Sequence, residues 1–303
     1  MKKADTSKKM QVQSRPKKIM TPNDKLTRTL FNLPENEFFA MIFDGEGNYV
    51  TENPKSRKSK VKTKFWLENV GTCELSAPLD EFDRAVFDVC ISAREEGFDG
   101  ITVDTIWRTM TGGKDNNTKI RPAQKEAVFE SIKRLMSIRI TVDFSQACAK
   151  MKQYCGAGKK LVSTILPCKY VDGVTVNGQP DCAVIYFLDE SALVTIAKAK
   201  RQLLTYDAEL LNVPNQNNTP LIATIKSYIV RRVFEVKAHE LTPKITFADV
   251  FAKCRLVKPN DSKKRDVRKC VNALFEYLKT LGKIRDFELE KIDGIYHAVT
   301  FDY

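Results

Sequence analysis

The chain has 303 residues, a formal net charge of +12 and a pI near 9.2, and 43% of its residues are hydrophobic. This length allows two domains with separate cores, and the positive excess favours a polyanionic partner, most simply nucleic acid, or serves solubility. The sequence has no run of eighteen apolar residues and no signal-peptide pattern, so neither a membrane-spanning helix nor a membrane partner is expected, and a cytoplasmic location is predicted.

Residues 1–77 are interpreted as a basic N-terminal arm that is partly disordered. Residues 1–18 are polar and basic and show no hydrophobic periodicity. Residues 38–43 form a small apolar group, which a short hairpin or docking segment would explain. A second basic run at residues 54–64 is either a solubilising linker or an arm that contacts the DNA backbone through a salt-sensitive attraction.

A first folded domain is predicted over residues 78–211. Apolar residues recur there at spacings of three and four, the pattern of helices with one buried face. Three helices are predicted in this way, over residues 79–93, 102–110 and 121–138. Strands are predicted over residues 139–144, 161–171 and 182–188, with an insertion at residues 145–160. Residues 191–211 are expected to be helical again.

A Pro- and Asn-rich connector at residues 212–220 is the predicted boundary, and the second domain is predicted over residues 212–303. Its helices are predicted over residues 220–238, 246–254 and 261–281. Asp261 and Ser262 are candidates for the N-cap of the last helix, and Gly282 lies where a C-cap is expected.

A β-hairpin is predicted at the end of the second domain. Two short apolar runs, residues 284–289 and 295–301, are joined there by Asp293-Gly294, a strong hairpin signal. Both domains therefore have the same predicted order, in which three helices precede β-strands. The repeat is one of architecture and not of residues. The predicted fold class is α+β, with two tandem winged-helix domains, each a helix-turn-helix followed by a β-hairpin.

The third helix of each domain carries basic and amide side chains at its N-terminal end. This end of a recognition helix can enter the major groove, where Arg and Gln are suited to bidentate contacts with base edges. The residues predicted to contact bases are Arg121, Gln124, Lys125, Lys264, Arg265 and Arg268. Those predicted to contact phosphate are Lys119, Lys263 and Lys269. Two such helices would lie in successive major grooves, ~34 Å apart. A basic helix face that is merely solvated is the alternative.

Catalytic and cofactor-binding motifs are not found. Residues 155–160 resemble a phosphate-binding loop but lack its leading glycine and its Ser or Thr. The two histidines, His239 and His297, are far apart and are expected to be structural or surface residues. The eight cysteines form no C-x-x-C pair, so reduced, mostly buried thiols are expected, with a zinc site within residues 148–182 as the alternative. We therefore expect no metal, no cofactor and no enzymatic activity.

Two segments resemble the plasmid-type replication initiators that bind iterons. In residues 210–233, LLNVPNQNNTPLIATIKSYIVRRV, a polar Pro-containing connector precedes a helix with a K-x-Y-x-x-R-R-like pattern. Here that pattern consists of Lys226, Tyr228, Arg231 and Arg232. Residues 123–144, AQKEAVFESIKRLMSIRITVDF, look like the third helix and first wing strand of the first domain in the same group. The resemblance covers roughly residues 78–303.

The resemblance implies two tandem winged-helix domains that bind repeated sites at a replication origin. Such initiators bind and distort DNA and recruit host replication proteins without catalysing a reaction, and many switch between a DNA-binding monomer and a dimer. Arg231 and Arg232 have an alternative role, because the first helix of a winged helix often uses such residues for packing or for salt bridges. The N-terminal arm and the insertion at residues 145–160 depart from the family pattern.

Three functions remain in competition on the sequence. The leading hypothesis is a sequence-specific double-stranded DNA-binding initiator of plasmid or mobile-element replication. The second is a transcriptional regulator of the same fold, which would bind an operator in place of an origin. The third is a nucleic-acid enzyme such as a primase or nickase, and this class needs a metal-binding constellation that the sequence does not show.

Overall fold

The computed structural model describes residues 15–31, 63–67, 71–75, 79–113, 120–143, 160–176, 179–256 and 258–303. Helices and antiparallel sheets are mixed along this part of the chain, so the predicted α+β class is confirmed. Within the same ranges, no helix has the length and apolar character needed to cross a membrane.

The described residues form helices and strands with the following bounds. The helices are α1 (Lys25–Leu30), α2 (Glu81–Glu95), α3 (Val103–Met110), α4 (Pro122–Ser137), α5 (Ala192–Lys200), α6 (Pro220–His239), α7 (Phe247–Lys253) and α8 (Asp261–Thr280). The strands are β1 (Lys18–Pro22), β2 (Thr63–Leu67), β3 (Gly71–Leu75), β4 (Gly100–Thr102), β5 (Arg139–Asp143), β6 (Lys160–Thr164), β7 (Cys168–Val176), β8 (Gln179–Phe187), β9 (Leu203–Asp207), β10 (Lys244–Thr246), β11 (Asp286–Ile292) and β12 (Ile295–Asp302).

Two units of the chain share one topology. The first unit runs α2, β4, α3, α4 and the β7–β8 hairpin, and the second runs α6, β10, α7, α8 and the β11–β12 hairpin. The sheet orders are β4-β8-β7 and β10-β12-β11, so in each unit the short strand pairs with the last strand of the hairpin. The predicted order of three helices before a hairpin is therefore present in both units. The short strands β4 and β10 were not predicted, because three residues are too few to show alternation.

The same local device starts the second helix of each unit. Thr102 and Thr246 end the short strands in extended conformation and serve as N-caps of α3 and α7. Their hydroxyl oxygens accept hydrogen bonds from the backbone N–H groups of Thr105 and Asp249, each at 3.0 Å. Threonine suits both roles, because it favours strands and caps helices. The strand therefore passes into the helix without a loop.

A second sheet, inserted into the first unit, corrects two strand predictions. Strand β5, expected to begin the hairpin, lies instead in the sheet β2-β3-β5-β6. The single strand predicted over residues 161–171 is two strands, because the chain leaves β6 after Thr164 and enters β7 at Cys168. Between them, Ile165 and Leu166 are buried and donate backbone hydrogen bonds to the carbonyls of Ile138 and Leu135.

The helix predicted over residues 191–211 is only half correct. Helix α5 ends before Arg201, which has a positive φ of 56°, and the chain continues as β9 and a 3-10 turn, Ala208–Leu211. Strand β9 pairs with β1, with Tyr206 opposite Ile19. The apolar run at Leu203 and Leu204 is equally compatible with a strand, so only its distant partner decides the outcome.

Part of the predicted N-terminal arm packs into the core. Residues 15–31 contain β1 and α1, and Ile19, Leu26, Leu30 and Phe31 are at most 2% exposed. Residues 1–14, the predicted apolar group at residues 38–43 and most of the basic run at residues 54–64 lie outside the described ranges. The described part of the segment is therefore structural.

The two units meet across a continuous core, with α6 at its centre. Helix α6 packs against α2 of the first unit and α8 of the second, and apolar side chains such as Ile225, Ile229 and Val233 are buried along it. The connector at residues 212–219 also lies between the units, where Val213 is buried. Val213 thus anchors the connector in the core.

Candidate nucleic-acid interface

Helix α8 has one buried face and one basic face. Its cap is Asn260, whose side-chain oxygen accepts a hydrogen bond from Lys263 N–H at 2.9 Å, so Asp261 and Ser262, the predicted candidates, belong instead to the first turn. Seven apolar positions spaced by three and four predict the buried face, and six of them are buried: Val267, Cys270, Val271, Leu274, Phe275 and Leu278. The seventh, Leu281, is the C-cap residue and is 38% exposed. Gly282, with a φ of 65°, follows the C-terminus as predicted. This anchoring directs the opposite face of the N-terminal half towards solvent.

The basic face of α8 is largely without ion-pair partners. Its members are the five residues predicted from the sequence, Lys263, Lys264, Arg265, Arg268 and Lys269, and all except the half-buried Arg268 are exposed. Lys264 contacts Asp261 at 3.2 Å in an exposed pair, which contributes little to stability. Among the residues that the structure describes, Lys263, Arg265 and Lys269 have no ion-pair partner. Their charge is therefore available to an anionic ligand.

Arg268 joins α8 to the hairpin. Its guanidinium carbon lies 4.3 Å from the centre of the Tyr296 ring, and the Lys291 Nζ atom lies 4.5 Å from the same ring centre. Lys291 and Tyr296 face each other in the β11–β12 register, next to an irregularity at Glu290/Lys291. Cation–π attraction therefore holds two cations on one aromatic ring. The sequence prediction missed Lys291 and Tyr296, because no local pattern links them to Arg268.

The hairpin turns as predicted at Asp293-Gly294. Both residues have positive φ, 50° and 76°, as a two-residue turn of this kind requires. On either side of the turn, Ile292 and Ile295 form the last pair of the hairpin and are 55% and 66% exposed. The hairpin tip is thus an exposed apolar pair next to the cations of Lys291 and Arg268.

The corresponding end of α4 is attached to the rest of the protein. The side-chain oxygen of Gln124 accepts from the Arg121 backbone N–H at 2.8 Å, and its amide nitrogen donates to the Asn218 carbonyl at 2.6 Å. Lys125 pairs with Asp104 of α3 at 2.8 Å. Arg121 is exposed, and Lys119 lies outside the described residues. Of the predicted base-contacting residues in the first unit, two are therefore engaged within the protein.

Both arginines of the K-x-Y-x-x-R-R pattern form ion pairs within the protein, Arg231 with α2 and Arg232 within α6. Arg231 is 4% exposed, donates a hydrogen bond to Glu81 and lies 3.8 Å from Asp88, both on α2. Arg232 pairs with Glu235 at 2.8 Å. The interpretation of these arginines as packing and salt-bridge residues is therefore the one that the structure favours.

Lys226 of the same pattern is buried without a carboxylate partner among the described residues. Its Nζ atom donates to the Leu211 carbonyl at 2.5 Å, to Asn218 Oδ1 at 2.7 Å and to the Thr111 carbonyl at 3.4 Å. Burial lowers the pKa of Lys226 to about 8. The lysine of α6 is therefore held by neutral oxygens from the end of α3, the 3-10 turn and the connector.

Burial also shifts the pKa of Asp88, the carboxylate of α2 that faces Arg231. It raises the pKa of Asp88 to about 6, although Arg84 and Arg231 act in the opposite direction. Arg84 is itself buried and donates to the Pro22 carbonyl of β1 at 2.8 Å. Charged side chains of α2 and α6 thus hold the first unit, the second unit and β1 together.

The described cysteines are free thiols in apolar surroundings. Cys90, Cys168 and Cys270 are buried and Cys254 is half-buried. Burial raises the pKa of Cys168 to about 12 and that of Cys270 to about 11, so neither is a thiolate near neutral pH. Within the described ranges, no three His, Cys, Asp or Glu side chains are grouped as metal ligands would be.

The comparisons with known proteins identify no family. No protein-family model and no curated protein matches the sequence. Among solved structures, the chain is similar to a crystal structure of the selenomethionine derivative of domains 2 and 3 of RctB, with a TM-score of 0.40, 10% identity and coverage of 82% of this chain and 93% of that chain. A second crystal structure of RctB domains 2 and 3 has a TM-score of 0.39, 12% identity and coverage of 82% and 94%.

Proposed function

We propose that the protein is a sequence-specific double-stranded DNA-binding protein that initiates plasmid or mobile-element replication by binding repeated sites at an origin. In this proposal both units are winged-helix domains, α4 and α8 are their recognition helices, and the β11–β12 hairpin is the wing of the second. The observation that carries the proposal is the exposed, largely unpaired basic face of α8, on a helix whose opposite face is buried.

The N-terminal half of α8 supplies the groups that DNA recognition needs. Lys264 and Arg265 contact base edges in the major groove, where Arg and Lys pair with guanine acceptors. Lys263 and Lys269 contact phosphates on either side, and their contribution weakens as salt increases. Arg268 and Lys291, held on Tyr296, continue this positive surface from the helix to the wing. The wing therefore contacts the backbone next to the groove that α8 occupies.

In this proposal the protein acts in the cytoplasm, by binding DNA and not by catalysing a reaction. It recruits host replication proteins to the complex, and it has a homodimer as a second state. The choice of an initiator over a transcriptional regulator of the same fold is supported by the resemblance at residues 123–144 and 210–233. DNA binding itself is supported independently by the geometry of α8.

A titration with matched charge variants tests DNA binding. Purified protein is titrated by fluorescence anisotropy against DNA flanking its own gene and against scrambled DNA, at several salt concentrations. We expect preference for the flanking DNA, and its loss in Lys264→Glu/Arg265→Glu. The control Lys279→Glu/Arg285→Glu makes the same change in net charge, from +12 to +8, in the last turn of α8 and in the segment after it, and should keep the preference. Equal binding of both DNAs by the unmodified protein contradicts the proposal.

A replication assay separates an initiator from a regulator. The bound fragment and the gene are placed on a circular DNA that has no other origin, and transformants are counted in the host. We expect stable plasmids with the unmodified gene and none with Lys264→Glu/Arg265→Glu. Specific binding without plasmid maintenance would favour the regulator.

A further inference from the structure

The connector between the two units is fastened to both third helices. From the side of α4, the Gln124 amide donates to the Asn218 carbonyl at 2.6 Å. From the other side, the Gln216 amide donates to the Cys270 carbonyl of α8 at 3.3 Å. Two connector residues that are two positions apart, Gln216 and Asn218, thus bridge the helices that carry the candidate DNA-contacting residues.

Lys226 holds this bridge from within the core. Among the described residues its ammonium group has no carboxylate partner, and it donates to three oxygens, from Thr111 at the end of α3, Leu211 in the 3-10 turn and Asn218 in the connector. The same Asn218 accepts from Gln124 through its backbone carbonyl. A continuous hydrogen-bonded path therefore runs from α6 through Asn218 to the N-terminal turn of α4.

The backbones of the first unit and the connector also touch directly. Gly112, next to Thr111, has a φ of +69°, and a Cβ atom there would lie 2.2 Å from the Asn212 nitrogen. No side chain fits in this space, so the loop after α3 and the start of the connector pack backbone to backbone. A shift of one unit relative to the other would have to break this contact as well as those of Lys226.

Holding two units together with a buried ammonium group has a large desolvation cost. Lys226 is fully buried, and an apolar side chain of similar length would avoid the desolvation of its charge. The lysine instead provides directional hydrogen bonds, and three oxygens at fixed positions specify one arrangement of the connector. Polar groups of this kind are best attested where they select one register among several.

We propose that Lys226, with Asn218, is a positioning residue that fixes α4 and α8 relative to each other, so that the protein accepts two DNA half-sites at one spacing only. The inference rests on the proposed function, because it assigns a role in DNA recognition to a contact made within the protein. Two helices on one rigid body read two segments whose separation and rotation along the duplex are set by the protein. Loss of the contact relaxes the spacing without changing the contacts of either helix.

The experiment measures how DNA affinity depends on the spacing between the two half-sites. The probe is the double-stranded site that the unmodified protein selects from a random library, together with the same site after insertion or deletion of 2 base pairs between its half-sites. This change rotates one half-site by roughly 70°. We expect it to lower the affinity of the unmodified protein by at least about thirtyfold, because the two contacts then cannot form together.

The variant Lys226→Met should discriminate the two spacings by less than about tenfold, because the joint loses three hydrogen bonds while the packing of α2 on α6 remains. Its affinity for a single half-site should remain unchanged. Asn218→Ala, which removes only one acceptor, should reduce the discrimination between the two spacings by a smaller amount. It is the test variant if Lys226→Met does not fold. Lys237→Met makes the same charge change at the exposed end of α6 and should keep the full discrimination.

Two results would overturn the inference and are distinguishable from a failure of the proposed function. The first is that the unmodified protein selects a site but tolerates the altered spacing. The second is that a folded Lys226 or Asn218 variant discriminates as strongly as the unmodified protein. Either result means that Lys226 does not set the spacing, and neither contradicts DNA recognition. If the unmodified protein selects no site from the library, the proposed function itself is wrong.

Discussion

Helices α8 and α6 both carry clusters of basic residues, but the two clusters have opposite environments. The cations of α8 face solvent next to the hairpin, whereas Lys226 and Arg231 of α6 are buried between the units. Their partners differ accordingly. The cations of α6 bind carboxylates and carbonyls, whereas most cations on the basic face of α8 have no partner among the described residues. A basic helix therefore indicates a nucleic-acid partner only when its charges are left unsatisfied by the protein.

The same comparison separates the two third helices. In α4 the polar groups at the N-terminal end are engaged by Asn218 and Asp104, while in α8 they project into solvent. Equal topology therefore does not imply equal contribution to binding. In the proposed complex α8 supplies most of the electrostatic attraction, and α4 is the helix whose placement the connector controls.

The largest expected effect lies in α6. Arg231→Met should lower the free energy of unfolding by about 3–5 kcal/mol, because Glu81 would remain buried without its ion-pair partner and Asp88 would keep only Arg84 as a neighbouring cation. Arg265→Met on α8 should change it by at most about 0.5 kcal/mol, as is usual for exposed sites. Urea unfolding followed by circular dichroism measures both. Similar small changes in the two variants would remove the distinction between the clusters.

A pH dependence should distinguish Lys226 from the exposed lysines. Its pKa is about 8 in the folded protein, against 10.5 for the ordinary side chain, so the unfolded chain holds this proton to higher pH. Stability should therefore rise with pH between about 8 and 10.5 relative to the Lys226→Met variant. The difference between the two unfolding curves, measured at several pH values, gives this contribution. A flat difference across that window would mean that Lys226 is not desolvated.

The smallest expected effect lies at the hairpin. Tyr296→Ala removes the ring that holds Arg268 and Lys291, and an exposed cation–π contact is worth about 0.5–1 kcal/mol. We expect DNA affinity to fall by about two- to fivefold, with Tyr296→Phe close to the unmodified protein, because it keeps the ring. Anisotropy titrations at low salt measure the change. If Tyr296→Phe weakens binding as much as Tyr296→Ala, the hydroxyl and not the ring is important.

Local patterns predicted the second unit well. The bounds of α6, α7 and α8 differ from the predicted ones by at most one residue at an end, and the hairpin turns at Asp293-Gly294. Helical periodicity and turn chemistry depend on residues close in sequence, which explains this agreement. The basic face of α8 follows from the same periodicity, because the apolar positions determine which side chains point outwards.

Contacts between distant residues explain what the sequence prediction missed. Strand β9 exists because β1 pairs with it, about 185 residues earlier in the chain, so no local window distinguishes it from a helix. The partner of Arg268 is Tyr296, and that of Gln124 is Asn218. Each of these pairs depends on how the units pack.

By itself, the sequence determined the α+β class, most of the helices, the hairpin turn and the basic face of α8, because each depends on spacing within one short segment. Only the tertiary structure decided which basic residues remain exposed. Lys226, Arg231 and Arg265 are all cations on helices, and their burial depends on whether another element covers them. Desolvation and pairing with groups far along the chain then turn the first two into contacts between the units and leave the third to solvent.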